Sequence, residues 1–163
     1  MILLGLGANL PSSAGPPIAT LEAALVQLEA SGARIVARSR WFRTAPVPPS
    51  DQAWFVNAVA RLETALEPIG LLAVLQKIEH AFGRRRALRN EARPLDLDLL
   101  DYDSRILDSA KLVLPHPRLH LRAFVLLPLR DVAPDWRHPV LGETVSELIA
   151  KLPADQIAAP LAP

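Results

Sequence analysis

The sharpest chemistry in this sequence lies in Leu95-Asp96-Leu97-Asp98-Leu99-Leu100. Alternating apolar and acidic residues predict a strand. In a strand, residues i and i+2 share a face, so Asp96 and Asp98 project side by side while Leu95, Leu97 and Leu99 enter a core. Two carboxylates about 7 Å apart repel by about 2 kcal/mol at an effective dielectric of about 20, and a divalent cation turns that repulsion into attraction. Mg²⁺ suits such a pair, because it takes one or two carboxylates and completes its octahedron with phosphate oxygens and water. A solvated strand face is the alternative for any D-x-D in a strand.

The neighbouring segment weighs against that alternative. Gly83 to Arg93 carries Arg84, Arg85, Arg86, Arg89 and Arg93 against Glu91 alone. Guanidinium groups bind phosphate oxygens in forked geometry, so arginines on one side and a carboxylate-held metal on the other would neutralise a triphosphate. The usual phosphate cradles are absent. No Gly is followed by Lys, which excludes a G-x-x-x-x-G-K-[ST] loop, and Gly5-Leu6-Gly7 lacks the third glycine of a dinucleotide fingerprint.

Phe55 and Asn57 are also spaced i, i+2 in a predicted strand. A ring and an amide then leave one face together, the ring able to stack on a flat heterocycle and the amide able to donate to and accept from its edge. Phe124 is a second candidate ring, with a core position as the alternative. His116, between Pro115 and Pro117, sits in a rigid turn as either a surface imidazole or a phosphate contact. His80, His120 and His138 show no ligand spacing and are expected at the surface.

The elements that must hold these groups follow from periodicity. Ile2 to Leu6 predicts a buried strand ending at Gly7. Ile18, Leu21, Leu25 and Leu28 predict a helix opened by Pro17 and closed before Gly32. Alternation from Arg34 to Trp41 predicts a half-exposed strand, Phe42 to Ala53 a Pro-rich loop, and Trp54 to Glu63 a further strand. Leu71, Leu75, Ile78 and Phe82 predict a second helix between Pro68 and Gly83. Leu95 to Tyr102 is the acidic strand, Arg105 to Leu107 a short strand that pairs locally, and Arg122 to Val132 a helix stopped by Pro134. The order β-α-β-β-α-β with added C-terminal helices predicts an α+β fold of ferredoxin-like type with an antiparallel sheet, in a single domain over residues 1–152. The Pro-rich tail, residues 153–163, is expected to be loosely ordered.

Composition is consistent with this. The 163 residues suit one domain, 50% hydrophobic and 21% charged residues suit a folded chain, and a net charge of +1 gives no global pull toward nucleic acid or membrane. With no cysteine there is no disulfide, thiolate nucleophile or zinc-thiolate site. The apolar start, MILLGLGANLP, has no basic flank and is too short to span a bilayer, so a cytoplasmic location is expected.

In order along the chain, Leu4-Gly5-Leu6-Gly7-Ala8-Asn9-Leu10, Phe42-Arg43-Thr44, Asp51-Gln52, Phe55-Val56-Asn57-Ala58, Ile78-Glu79, Gly83-Arg84, Arg93-Pro94-Leu95-Asp96-Leu97-Asp98-Leu99-Leu100, Pro115-His116 and Arg122-Ala123-Phe124 resemble the 6-hydroxymethyl-7,8-dihydropterin pyrophosphokinase family of folate biosynthesis. The resemblance implies transfer of the β,γ-pyrophosphoryl group of ATP to the pterin hydroxymethyl, leaving AMP. It implies that Asp96 and Asp98 hold two Mg²⁺ ions and that Arg84 and Arg93 contact the transferring phosphates. Gln76, Glu79, Leu99, Lys111, His116 and Arg122 would line the nucleotide site. Gly7 and backbone groups of Thr44, Ala45 and Val47 would meet the pterin, with Asn57 on its edge and Phe55 and Phe124 on its faces. Family members often carry Tyr at Phe55, Pro at Ala45 and Gly-Pro-Arg at Glu91-Ala92-Arg93. The expected partners are ATP and the pterin, without nucleic acid or membrane, for a monomer. Two rival readings remain at this point: an RNA-binding module, which shares the element order but lacks the aromatic RNP signature, and a metal-dependent transferase with another acceptor.

Overall fold

A computed structural model describes residues 1–83 and 94–162. Its centre is β1 (Ile2–Ala8), an apolar run because it is flanked by strands on both sides and packs Leu4, Leu6 and Ala8 on one face and Leu3 on the other. It pairs antiparallel with β4 (Phe55–Thr64) on one side and with β5 (Asp96–Tyr102) on the other. The long strand β4 also pairs antiparallel with β2 (Ala33–Arg38) and then β3 (Phe42–Thr44). Alternation from Arg34 to Trp41 therefore breaks where one strand was expected. The Val59 N–H donates to Ser39 Oγ (2.9 Å) and the Ser39 N–H to the Val59 carbonyl (2.8 Å), which pins the kink between β2 and β3. Phe42–Thr44, expected as loop, is strand because β4 offers it a partner edge, a tertiary effect that local sequence does not carry.

Helices α1 (Pro17–Ala30) and α2 (Pro68–Ala81) begin with proline in the first turn and pack on one face of the sheet. Leu21 and Leu28 of α1 and Leu71, Leu75 and Ile78 of α2 join Leu4, Leu6, Leu97 and Leu99 in the main core. Two short strands, β6 (Leu107–Asp108) and β7 (Val113–Leu114), pair after β5, so the local pairing expected near Arg105 falls slightly later. A 3₁₀ turn at Leu119–Leu121 then leads into α3 (Ala123–Val132), followed by α4 (Val145–Ala150) with a Thr144 Oγ1 cap accepting from the Glu147 N–H (3.2 Å). These elements bury Leu126, Leu129, Trp136 and Val145 against Leu3, Val59 and Leu100 on the opposite sheet face. The result is an α+β domain with helices on both faces of an antiparallel sheet.

Two expectations are corrected. The tail is not loose: Ala158–Pro160 forms β8, which pairs antiparallel with β3 and extends the sheet in the order β5-β1-β4-β3-β8. His138 is not at the surface. It is buried, its Nδ1 accepts the Val140 and Leu141 N–H groups (3.1 and 3.0 Å), and its ring meets Trp136 and His120 edge-on. A tight turn returning from Gly142 to the His138 carbonyl folds the ring inward, and burial lowers its pKa, with His120 adding to the effect.

Candidate active site

In antiparallel sheets, directly opposed residues face the same way. The registers Asp96↔Gly7, Asp98↔Gly5, Gly7↔Asn57 and Thr44↔Phe55 therefore place both aspartates, both glycines, Asn57, Phe55 and Thr44 on one face. Leu3, Val59 and Leu100 share that face further along and are covered by α3. The polar end remains open, and the side-chain-free stretch of β1 forms a trough between an acidic and an amide-bearing bank. A cavity of about 260 Å³ lies there.

Gly7 is required by close approach. A Cβ at this position would lie 2.5 Å from Asn57 Nδ2. The Asn57 amide is oriented from both ends: Thr44 Oγ1 donates to Oδ1 (2.5 Å), and Nδ2 donates to the Leu6 carbonyl (3.3 Å). One N–H and one oxygen lone pair of that amide remain for a bound edge. Above it, the loop after β3 is tied back through the buried Asn9, whose Nδ2 donates to Gln52 Oε1 and the Ala53 carbonyl (both 2.9 Å).

The acidic bank is held from beneath. Strand β5 is a sheet edge, and its outward Leu97 N–H, between the two aspartates, donates to Glu79 Oε2 at 2.8 Å. Glu79 is buried and comes from α2, so the helix stops the edge and fixes the D-x-D register with one carboxylate.

His116 closes the far wall. Its N–H donates to the Leu100 carbonyl (2.9 Å), and its Nδ1 accepts the Arg118 N–H (3.2 Å), which leaves the proton of the neutral ring on Nε2. Burial lowers its pKa from 6.5 to about 4, with Arg122 adding to the fall; Asp96 opposes it and Arg118 adds a smaller push. The ring is therefore a neutral donor at pH 7. Arg122 lies 5.2 Å over the Phe124 ring, so guanidinium and ring are presented as a unit.

Eleven of the anticipated residues line this one cavity: Gly7, Thr44, Ala45, Val47, Phe55, Asn57, Asp96, Asp98, His116, Arg122 and Phe124. The Ala45 N–H is already spent on the Ile157 carbonyl (3.0 Å), so only its carbonyl can serve a ligand. Gln76 and Lys111 are exposed away from the cavity lining, Leu99 points into the main core, and Glu79 lies under β5. Arg84 and Arg93, with Arg85, Arg86 and Arg89, lie outside the described residues. Gln52, Pro117 and Arg118 line the cavity without having been anticipated. Gln52 could have been found from the Asp51-Gln52 segment that carries part of the family resemblance, and Arg118 from its place two residues beyond His116.

An acid pair, the Arg118 and Arg122 side chains and the Phe55 and Phe124 rings around one cavity suit a phosphoryl-type transferase with a planar acceptor. Residues 3–134 match the family described as 7,8-dihydro-6-hydroxymethylpterin-pyrophosphokinase. The chain is 45% identical over 150 residues to the 2-amino-4-hydroxy-6-hydroxymethyldihydropteridine pyrophosphokinase of Methylorubrum extorquens, covering 91% of each chain. It is 43% identical over 157 residues to the enzyme of the same name from Pseudomonas aeruginosa, covering 96% of this chain and 94% of that one. The fold resembles a crystal structure of Plasmodium falciparum HPPK-DHPS at a TM-score of 0.72 and 16% identity, over 92% of this chain but only 45% of that longer one. This chain belongs to the 7,8-dihydro-6-hydroxymethylpterin-pyrophosphokinase family, whose reaction is pyrophosphoryl transfer in folate biosynthesis.

Proposed function

We propose that the two banks of the β1 trough divide the substrates, with ATP phosphates over Asp96 and Asp98 and the dihydropterin between Phe55 and Phe124. The observation that carries this is the sharing of one sheet face by the acid pair and the Thr44-oriented amide, with only glycine between them. Asn57 bonds the pterin edge, and the two rings cover its faces. The pterin hydroxymethyl oxygen then bonds to the β-phosphorus, the bond from that phosphorus to the α,β-bridging oxygen breaks, AMP leaves, and the hydroxyl proton passes to solvent.

Asp96 and Asp98 would hold Mg²⁺, two ions in this reading. Both carboxylates face the cavity half-buried, a hard-oxygen set that fits the ion. No group of three or more His, Cys, Asp or Glu suited to a metal occurs among the described residues, so phosphates and water would complete the coordination. When bound, the metal supplies charge neutralisation at the phosphates. His116 donates from Nε2 and Arg122 adds a fixed positive charge, while Arg84 and Arg93, outside the described residues, keep the phosphate contacts that the family resemblance implies. No side chain is assigned as general base, since positioning and charge neutralisation carry such transfers. Glu79 acts through β5, which holds the acid pair in register.

The strand order, with β2 and β3 together taking the place of one strand, reads as a ferredoxin-like core. The same reading makes the protein a cytoplasmic monomer built of a domain over 1–152 and the docked tail. Among the described residues no helix is long and apolar enough to cross a membrane. The test is direct: pure protein with ATP, Mg²⁺ and 6-hydroxymethyl-7,8-dihydropterin should release AMP and pterin diphosphate in equal amounts, and release of ADP instead would overturn the assignment.

A further inference from the structure

We infer that the C-terminal tail is a strap across the pterin pocket and that Gln156 is its positioning residue. The two pocket walls come from distant parts of the chain, Thr44 and Ala45 from β3 and the loop after it, Arg122 and Phe124 from the start of α3. Consecutive tail residues grip both. The Gln156 side chain accepts the Ala123 N–H through Oε1 and donates through Nε2 to the Leu121 carbonyl, each at 2.8 Å. The next residue, Ile157, gives its carbonyl to the Ala45 N–H at 3.0 Å. Neighbouring Cα atoms are held about 3.8 Å apart by a planar peptide, so this one linkage fixes the spacing of the walls.

The grip continues beyond that point. Ala158 opposes Thr44, Ala159 opposes Arg43, and the Leu161 N–H donates to the Trp41 carbonyl at 2.8 Å. Arg122 is the N-cap residue of α3 and makes no side-chain cap bond, so Gln156 supplies the acceptor for the helix's first N–H from outside. An amide is suited to this place because it must accept from Ala123 and donate to Leu121 at once; neither a carboxylate nor an ammonium does both. Phe124 follows directly, so a loosened α3 start would let one face of the pterin slot drift from Asn57. None of these tail bonds reaches the acid pair on β5, and the strap therefore acts on pterin affinity rather than on the phosphates.

This inference rests on the assignment of Phe124 and Ala45 to the pterin side. The experiment measures pterin affinity by calorimetry in the full chain, with Mg²⁺ and a non-hydrolysable ATP analogue, for wild type, Gln156→Ala and Gln156→Glu. Losing both Gln156 bonds should weaken pterin binding about tenfold in Gln156→Ala. Gln156→Glu should recover only part, because its carboxylate still accepts the Ala123 N–H at a helix start that favours negative charge but sets a second acceptor oxygen against the Leu121 carbonyl. A simple loss of stability would lower Tm without this ranking of affinities. Binding and positioning are also reciprocal, so in wild type the Ala45 and Ala123 amides should gain hydrogen-exchange protection when pterin is added. Wild-type affinity in Gln156→Ala, no recovery in Gln156→Glu, or unchanged protection overturns the strap alone. Absence of pterin binding in wild type overturns the functional reading and the strap with it.

Discussion

Gly7→Ala isolates the amide bank of the site. The backbone at Gly7 is ordinary strand, so alanine costs little there; the damage comes from the methyl placed 2.5 Å from Asn57 Nδ2, a separation that a carbon and a nitrogen cannot keep. The amide must move, and among the described residues it is held by Thr44 Oγ1 and the Leu6 carbonyl. Rotating it away loses those bonds and misaims the pair it offers to the pterin edge, and a buried polar edge left without its partner costs about 1–3 kcal/mol. At about 1.4 kcal/mol per decade, pterin affinity should fall by roughly 5- to 150-fold, with ATP-analogue affinity little changed. Calorimetry on both ligands measures this, and a cycle with Asn57→Ala identifies the cause. In the Asn57→Ala background the methyl has nothing to displace, so the added loss from Gly7→Ala should nearly vanish. Full loss in that background would mean that the methyl obstructs the pterin itself, and the reasoning from the amide would be refuted.

Three further outcomes follow from the other bank and the far wall. Asp96→Ala and Asp98→Ala should each lower kcat at least about a hundredfold at saturating Mg²⁺ while circular dichroism stays native, since a major electrostatic contribution is removed from a polar strand face; more than a tenth of wild-type kcat would sink the metal assignment. Glu79→Ala leaves the Leu97 N–H without its acceptor and should cost about 1–3 kcal/mol in urea unfolding, whereas Glu79→Gln, which keeps an acceptor oxygen, should cost less; equal losses would separate Glu79 from the register of β5. His116 has a folded pKa of about 4 against 6.5 unfolded, so the unfolded chain binds more protons between those values, and its contribution to stability is whole above pH 6.5 and declines as pH falls toward 4. Replacing it, as His116→Gln, should flatten the loss of stability between pH 7 and 5, and an unchanged slope would show that the ring is not buried as a neutral group.

What could be read in advance was whatever strand alternation encodes. The i, i+2 spacing of Asp96 and Asp98 and of Phe55 and Asn57 fixes side-chain direction within a strand, and the half-buried aspartates alternate with buried Leu97 and Leu99 as that rule requires. Helices α1 and α2 were legible because their leucines recur at helical spacing between a first-turn proline and a positive-φ glycine, Gly32 and Gly83. The failures share one cause. Phe42–Thr44 and Ala158–Pro160 are each three residues long, the first ending two residues before Pro46 and the second ending in Pro160, and become strands only because β4 and then β3 present a partner edge. Glu79 carried a usable signal, since it stands on the buried stripe with Leu71, Leu75 and Ile78, and a carboxylate there must have a partner. Which partner, a backbone N–H 18 residues on, depends on the packing of α2 against the sheet edge.

The same logic explains why the chemistry sits where it does. β1 could not carry side chains at positions 5 and 7 toward the open face without closing the trough, yet it must remain apolar at 4 and 6 to seat α1 and α2. Gly-Leu-Gly satisfies both demands at once, with leucine inward and hydrogen outward. Helix α3 then determines where the site can begin: it covers Leu3, Val59 and Leu100, and the strands past that row are bare. On that face Gly7, further toward the carboxyl end of β1, lines a cavity instead of meeting a helix, and the residues opposite it on β4 and β5 are Asn57 and Asp96. An amide and a carboxylate in that row would be costly under a helix and are stable beside water or a polar ligand. The boundary between core and active site is thus the edge of one helix, and any change that shifts the start of α3 moves that boundary directly.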